Sequence, residues 1–201
     1  MPITLRGTKG SPLTYAEGDA NFSELDARTA TAWQMVSVEP DVRSGSGNAV
    51  EQVQFRNGIY AYGFVDNAMM EAFSNFDVPL DWAVGTDLYA GIHWSPGAST
   101  STGNVRWGLE FTFAAPNGVF GASQTQYITS AGSGTEYSHI VAESAPFPGA
   151  SASQNMRFLI RIFRDGADPL DTFVGNAFII GVDFYYQASR FGTPQRLPPY
   201  T

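Results

Sequence analysis

The chain has 201 residues, 43% hydrophobic and 15% charged, with a formal net charge of −8 and no cysteine. That length gives one domain, or one domain with an appendage, and the composition excludes a disordered chain, which is poor in apolar residues and rich in charge. Disulfides, thiolate chemistry and a cysteine-based zinc site are excluded, and a single lysine (Lys9) against ten arginines leaves no basic face of the kind that displaces counterions from nucleic acid.

Residues 1–10 are polar and hold no apolar run that would serve as a signal peptide, so the sequence predicts a chain made without Sec export. No stretch approaches the roughly 18 apolar residues of a membrane span. Thr14 stands three residues before Glu17, a capping-box spacing. From 15 to about 31, Tyr15, Phe22 and Leu25 fit one face of a helix with small alanines between them. Gly18 weakens that helix by about 1 kcal/mol relative to alanine. Its apolar stripe is too thin to form a core alone and must lean on the main domain or on a partner chain. Composition then shifts between Trp33 and Pro40, which divides the chain into an arm, residues 1–33, and a main domain, residues 34–201.

After Pro40 and a loop at 44–48 the hydrophobic period changes to two. Residues 51–56 and 59–64 flank Asn57-Gly58, the strongest short hairpin signal, and Tyr60, Tyr62 and Phe64 point one way. Leu88, Ala90, Ile92 and Trp94 alternate with Tyr89, Gly91 and His93. The clearest strand carries Val105, Trp107, Leu109, Phe111 and Phe113 on one face and Arg106, Glu110 and Thr112 on the other. Pro116-Asn117-Gly118 turns it back. Met156, Phe158, Ile160 and Ile162 form another face, and Phe178, Ile180, Val182, Phe184 and Tyr186 a last one. About eight short strands between Gly, Pro, Asn and Asp loops, with no βαβ alternation, predict an all-β fold: an antiparallel, jelly-roll-like β-sandwich behind an extended and helical arm. The tail from 194 holds three prolines and cannot be a central strand.

Little in the sequence announces chemistry. The two histidines, His93 and His139, lack a metal-ligand spacing, and His93 in its alternating strand reads as a sheet-face, hydrogen-bonding residue. No nucleophile elbow and no phosphate-cradling glycine loop is present, so no cofactor or metal is expected. Glu110, Asp171 and Asp183 are the carboxylates to weigh for a glycosidase pair, but Arg157, Arg161 and Arg164 are at hand to pair with them, which predicts an ion-paired sheet face instead. Tyr89, Trp94, Tyr185 and Tyr200 are candidates for stacking a sugar ring, with Tyr89, Trp94 and Tyr185 the candidate glycan contacts.

Residues 5–22, from Leu5-Arg-Gly-Thr-Lys9 through Ser11-Pro12-Leu13-Thr14 to Glu17 and Asp19-Ala20-Asn21-Phe22, closely resemble an N-terminal module of tailed-bacteriophage fibre and other virion proteins, approximately T-K-G-S-P-L-T-x-A-E-x-D-A-N-F. From about 77 to 199 the chain resembles a phage structural domain through Ile92-His93-Trp94-Ser95-Pro96, Val105-Arg106-Trp107-Gly-Leu-Glu110-Phe, Arg161-Ile162-Phe163-Arg164, Asp171-Thr172-Phe173, Asp183-Phe-Tyr-Tyr186 and Gly192-Thr193-Pro194. Relatives often read H-x-H-W and D-x-H-Y, where this chain has Gly91 and Tyr185 in place of the first and second histidine. The resemblance implies a non-enzymatic virion structural protein, assembled in the bacterial host cytoplasm. Its partners would be other virion proteins and copies of itself, with threefold symmetry as in many phage fibres. Leu13, Tyr15, Phe22 and Leu25 are then the anchoring residues. The alternative is a receptor-binding fibre tip that recognises a host surface glycan.

Overall fold

The computed structural model describes residues 10–29, 31–42 and 48–189, with helical side chains described as far as Ser23. The opening before Gly10, most of the loop at 44–48 and the tail from 190, including Tyr200 and the Gly192-Thr193-Pro194 run, lie outside the described residues. The first element is α1 (Tyr15–Thr29), and the capping box starts it. The Thr14 hydroxyl accepts from the Glu17 amide at 3.3 Å, while the Glu17 carboxylate accepts from the Thr14 amide at 2.8 Å. Two amides that the first turn leaves without carbonyls are thereby satisfied, and the helix runs on through Gly18.

Ten strands follow among the described residues: β1 (Ala32–Val38), β2 (Glu51–Arg56), β3 (Ile59–Phe64), β4 (Met69–Asp77), β5 (Tyr89–Ser95), β6 (Asn104–Ala114), β7 (Gln124–Ala131), β8 (Ile140–Glu143), β9 (Arg157–Asp165) and β10 (Ala177–Ala188). They form two antiparallel sheets, which makes the domain a β-sandwich. Sheet A has the order β2-β3-β10-β5-β8, and sheet B the order β4-β9-β6-β7. The two halves of one edge of β10 are shared: β3 pairs with residues 177–179 and β1 with residues 182–188. The Asn57-Gly58 hairpin joins β2 to β3 with Asn57 at φ 53°, the left-handed conformation such a turn requires.

The alternating rows read from the sequence meet between the sheets. Val105, Trp107, Leu109 and Phe111 of β6 and Phe158, Ile160 and Ile162 of β9 are buried against Ala90, Ile92 and Trp94 of β5. Phe76 of β4 stacks on Phe184 of β10 at 4.3 Å between ring centroids, which locks one sheet onto the other.

Three expectations need correction. First, β1 already belongs to sheet A, with Ala32 opposite Ala188 and Val38 opposite Val182; the two-residue period thus begins before Pro40, and Ala32 and Trp33 are sheet residues, not arm. Second, a bulge between Ile179 and Gly181 shifts the register of β10 by one residue, so Ile179 is buried and Ile180 stands 45% exposed. A bulged strand turns the side chains beyond it to the other face. Third, Arg164 does not lie on the ion-paired outer face. It continues the inward row of β9 and is fully buried.

Tyr186, also on the inner face of β10, is buried and donates to Asp81 Oδ1 at 3.2 Å. Burial, and then the Asp81 carboxylate, push its phenol up to about 12. The folded value exceeds the unfolded value of about 10, so the neutral phenol stabilises the fold fully below pH about 10, and this contribution is lost as pH rises through about 12. A Tyr186→Phe variant is therefore expected to show a shallower loss of urea midpoint between pH about 10 and about 12 than the wild type.

Candidate functional site

The outer face of sheet A gathers most of the unusual side chains. Antiparallel pairing sets them in transverse rows across β1, β10, β5 and β8. One row runs Ser37, Asp183, Gly91, Glu143, and the next runs Met35, Tyr185, Tyr89. Trp33 stands two residues from Met35 on the same face of β1. It is 56% exposed, and its ring meets that of Tyr89 edge-on, centroids 5.7 Å apart at 65°. Trp33, Tyr89, Tyr185 and Glu143 line a hollow of about 380 Å³.

Beside the hollow runs a polar chain. Asp183, 6% exposed, lies with Oδ2 2.8 Å from Nε2 of His93, and Nδ1 of His93 lies 2.7 Å from Nε2 of His139. A carboxylate can only accept, so Nε2 of His93 carries a proton, and in the neutral ring Nδ1 accepts from His139. The Tyr185 hydroxyl is 3.3 Å from the same Nε2. Burial raises the Tyr185 phenol above its ordinary value, with the Asp183 and Glu143 carboxylates adding to the shift. His93 stands between its two partners, so Asp183 and His139 do not converge on one point. No cluster of three or more His, Asp or Glu among the described residues can hold a metal ion.

The positions where the H-x-H-W and D-x-H-Y patterns differ from this chain come together here. Gly91 pairs with Asp183, and a Cβ built at Gly91 would stand 2.8 Å from Tyr185 Cε2. The tyrosine thus occupies the space that the glycine leaves open.

Of the three candidate glycan contacts, the structure brings together two. Tyr89 and Tyr185 line the hollow, but Trp94 is wholly buried, T-stacked on Phe173 at 5.4 Å, with its indole N–H donating to the Ser130 hydroxyl at 2.9 Å. A buried indole needs that acceptor, and Trp94 is core. The hollow's other two members, Trp33 and Glu143, are not among the candidates nominated from the sequence. The signal for Trp33 was present: Trp33 and Met35 alternate with Val36 and Val38, and a strand that keeps large apolar groups on its solvent side is marked for contact.

The carboxylates weighed for catalysis are each held by a basic side chain. On the outer face of sheet B, Arg161 bonds Glu71 Oε2 at 2.5 Å and Glu110 Oε2 at 3.0 Å. The Ser123 hydroxyl and then Arg161 hold Glu110 below the usual carboxylate range, whereas a general acid needs its value raised. Glu110, Ser123 and Arg161 border a second hollow of about 410 Å³ with Phe73, Thr112 and Leu159 on its walls. Asp171 is bound to Arg164, and Asp183 to His93.

The anchoring candidates divide as follows. Tyr15 is 96% and Phe22 74% exposed, Leu13 is half-buried, and the Leu25 side chain lies outside the described residues. No helix of the described residues is long and apolar enough to cross a membrane.

No protein-family model and no curated protein matches the sequence. Among solved structures, the chain is similar to dimeric latent PorU from Porphyromonas gingivalis, with 12% identity over 80% of this chain, 13% of that one, and a TM-score of 0.35. It is also similar to TmCBM61 in complex with β-1,4-galactotriose, with 13% identity over 78% of this chain, 88% of that one, and a TM-score of 0.33. A carbohydrate-binding module of the β-sandwich superfamily, described for promiscuous specificity, shows 7% identity over 80% of this chain, 56% of that one, and a TM-score of 0.32. The chain therefore spans only a small part of PorU, and the sandwich fold rests on the strand pairings themselves.

Proposed function

We propose that this chain is a non-enzymatic structural protein of a bacteriophage particle, a short fibre, collar or head-decorating subunit attached through its N-terminal helical arm. The observation that carries the reading is α1, on which Tyr15 and Phe22, seven residues apart and hence on one face, stand 96% and 74% exposed. Burying such a side chain is worth roughly 1.5–3 kcal/mol, so the face gains from a cover. A groove on the particle or further copies of the arm about an axis would supply it, and a trimer is the symmetry that the lead-module resemblance implies. Deletion of residues 1–29, which spares β1, is expected to leave the β-sheet circular dichroism and the melting transition in place. The same deletion should remove the chain from purified particles; incorporation at the wild-type level would overturn the proposal.

A second reading, a receptor-binding fibre tip for host surface glycan, is favoured by one feature. The hollow on sheet A has aromatic walls, an exposed Trp33 and half-buried Tyr89 and Tyr185, and a carboxylate at its rim, the composition expected of a small-molecule site.

A further inference from the structure

We propose that the hollow between Trp33, Tyr89, Tyr185 and Glu143 is a sugar site selective for uncharged sugar rings, and that Gly91 sets the Tyr185 wall in place. The inference rests on the receptor-binding reading and narrows it to one class of ligand.

Shape comes first. The volume of about 380 Å³ lies in the roughly 300–1,000 Å³ range of small-molecule sites. The Trp33 and Tyr89 rings, inclined at 65°, form a corner, and Tyr185 adds a third wall. A sugar ring has C–H faces that pack on aromatic walls and a rim of hydroxyls that must be hydrogen-bonded when desolvated. Glu143 is the rim acceptor, since an ionised carboxylate takes up to four hydroxyl protons.

Charge decides the class. Among the described residues no lysine or arginine lines the hollow, and the carboxylates of Glu143 and Asp183 both act on the Tyr185 phenol. The carboxylate of an acidic sugar would meet that of Glu143, with Asp183 in the same cross-strand row, and no fixed cation among the described residues to receive it, which builds in a bias against it. An uncharged ring meets no such repulsion and packs on the aromatic faces.

Gly91 is the positioning residue. A Cβ there would lie 2.8 Å from Tyr185 Cε2, 3.1 Å from its hydroxyl oxygen and 3.3 Å from Val141 Cγ1. The far half of the tyrosine ring thus lies over bare backbone, an arrangement in which an aromatic ring covers a cross-strand glycine. What a methyl group would displace is the movable end of a side chain, so alanine at 91 shifts the wall and spares the fold.

The test uses the full chain on an array of neutral and acidic oligosaccharides, followed by titration of tryptophan fluorescence with the best ligand and with choline. Neutral glycans are expected to bind, and sialylated or uronic ones are not. Trp33→Ala and Gly91→Ala should each weaken binding about tenfold with the melting temperature unchanged. Tyr185→Ala added to Gly91→Ala should weaken it little further, because both act on one wall. Preferred binding of acidic glycans, or affinity indifferent to Trp33→Ala, would overturn the inference and leave the receptor-binding reading standing. Binding to no glycan, whether or not choline binds saturably in its place, would overturn that reading itself.

Discussion

Replacing Asp171 with alanine is expected to cost about 3–5 kcal/mol, because it strands a guanidinium inside the sandwich. Arg164 and Asp171 have side chains 0% and 1% exposed. Nε and one terminal nitrogen of Arg164 donate to the two Asp171 oxygens at 2.9 and 2.7 Å, and the remaining donors reach the carbonyls of Phe64, Phe173 and Gly175. All five N–H groups are thus used, which is the condition under which a buried charge is tolerated. Asp171 also accepts from the Arg106 amide at 2.9 Å, so one carboxylate ties the loop before β10 to β9 and β6. Arg164→Met should cost a similar amount, since it leaves the carboxylate and three carbonyls without their donor. The double variant should cost less than the sum, yet stay below wild type, because those carbonyls remain orphaned. Urea unfolding of the four proteins measures this coupling. Additive losses would mean that Arg164 and Asp171 are held independently, against the bidentate geometry.

The parity of β9 already pointed to this arrangement. Phe158, Ile160 and Ile162 alternate inward, and Arg164 is the next residue of that row. Charge argued for the surface and spacing for the interior, and spacing prevailed because the neutralising carboxylate comes from only seven residues further along the chain. Trp94 is a similar case: it follows Leu88, Ala90 and Ile92 in a buried row, so its own alternation ruled it out as an exposed sugar platform. Where pattern and chemistry agreed, as in β6, the Asn57-Gly58 hairpin and the Thr14–Glu17 cap, the local structure was legible.

Other features could not be read in the same way. A bulge adds one residue without a sequence mark of its own, so the switch from Ile180 to Ile179 emerges only when β10 meets β5. β4 carries no clean two-residue period, because Glu71 and Phe73 share its outer face, one bonded to Arg161 and the other lining a hollow, which blurs the apolar and polar alternation. The candidate site is built from four strands, β1, β10, β5 and β8, that are remote in sequence. Its aromatic members could be nominated singly, but their convergence follows from pairing order, with β1 laid beside β10. The conjunction of Gly91 and Tyr185 was visible only as two departures from a pattern, and the shared space that links them is a tertiary fact.

Trp107→Ala should be the second large loss, about 3–5 kcal/mol, out of a total stability of about 5–15 kcal/mol for a domain. Trp107 is fully buried at the middle of β6, T-stacked on Phe64 at 5.3 Å and on Trp94 at 6.1 Å. Truncation opens a cavity among rings that cannot all collapse into it. Its indole nitrogen has no acceptor among the described residues, however, and a buried unsatisfied donor costs about 1–3 kcal/mol. Trp107→Phe removes that donor while keeping most of the ring contact, so its penalty should be far smaller than that of alanine. Glu110→Gln, on the outer face of the same strand, should change stability little, because it leaves the inner row untouched. Urea midpoints therefore fall in the order wild type, Glu110→Gln and Trp107→Phe close together, and Trp107→Ala far below. A thermally silent Trp107→Ala that abolished glycan binding would make the residue an exposed platform and reverse the assigned faces of β6; an equal loss for phenylalanine and alanine would show that the indole nitrogen finds a partner after all.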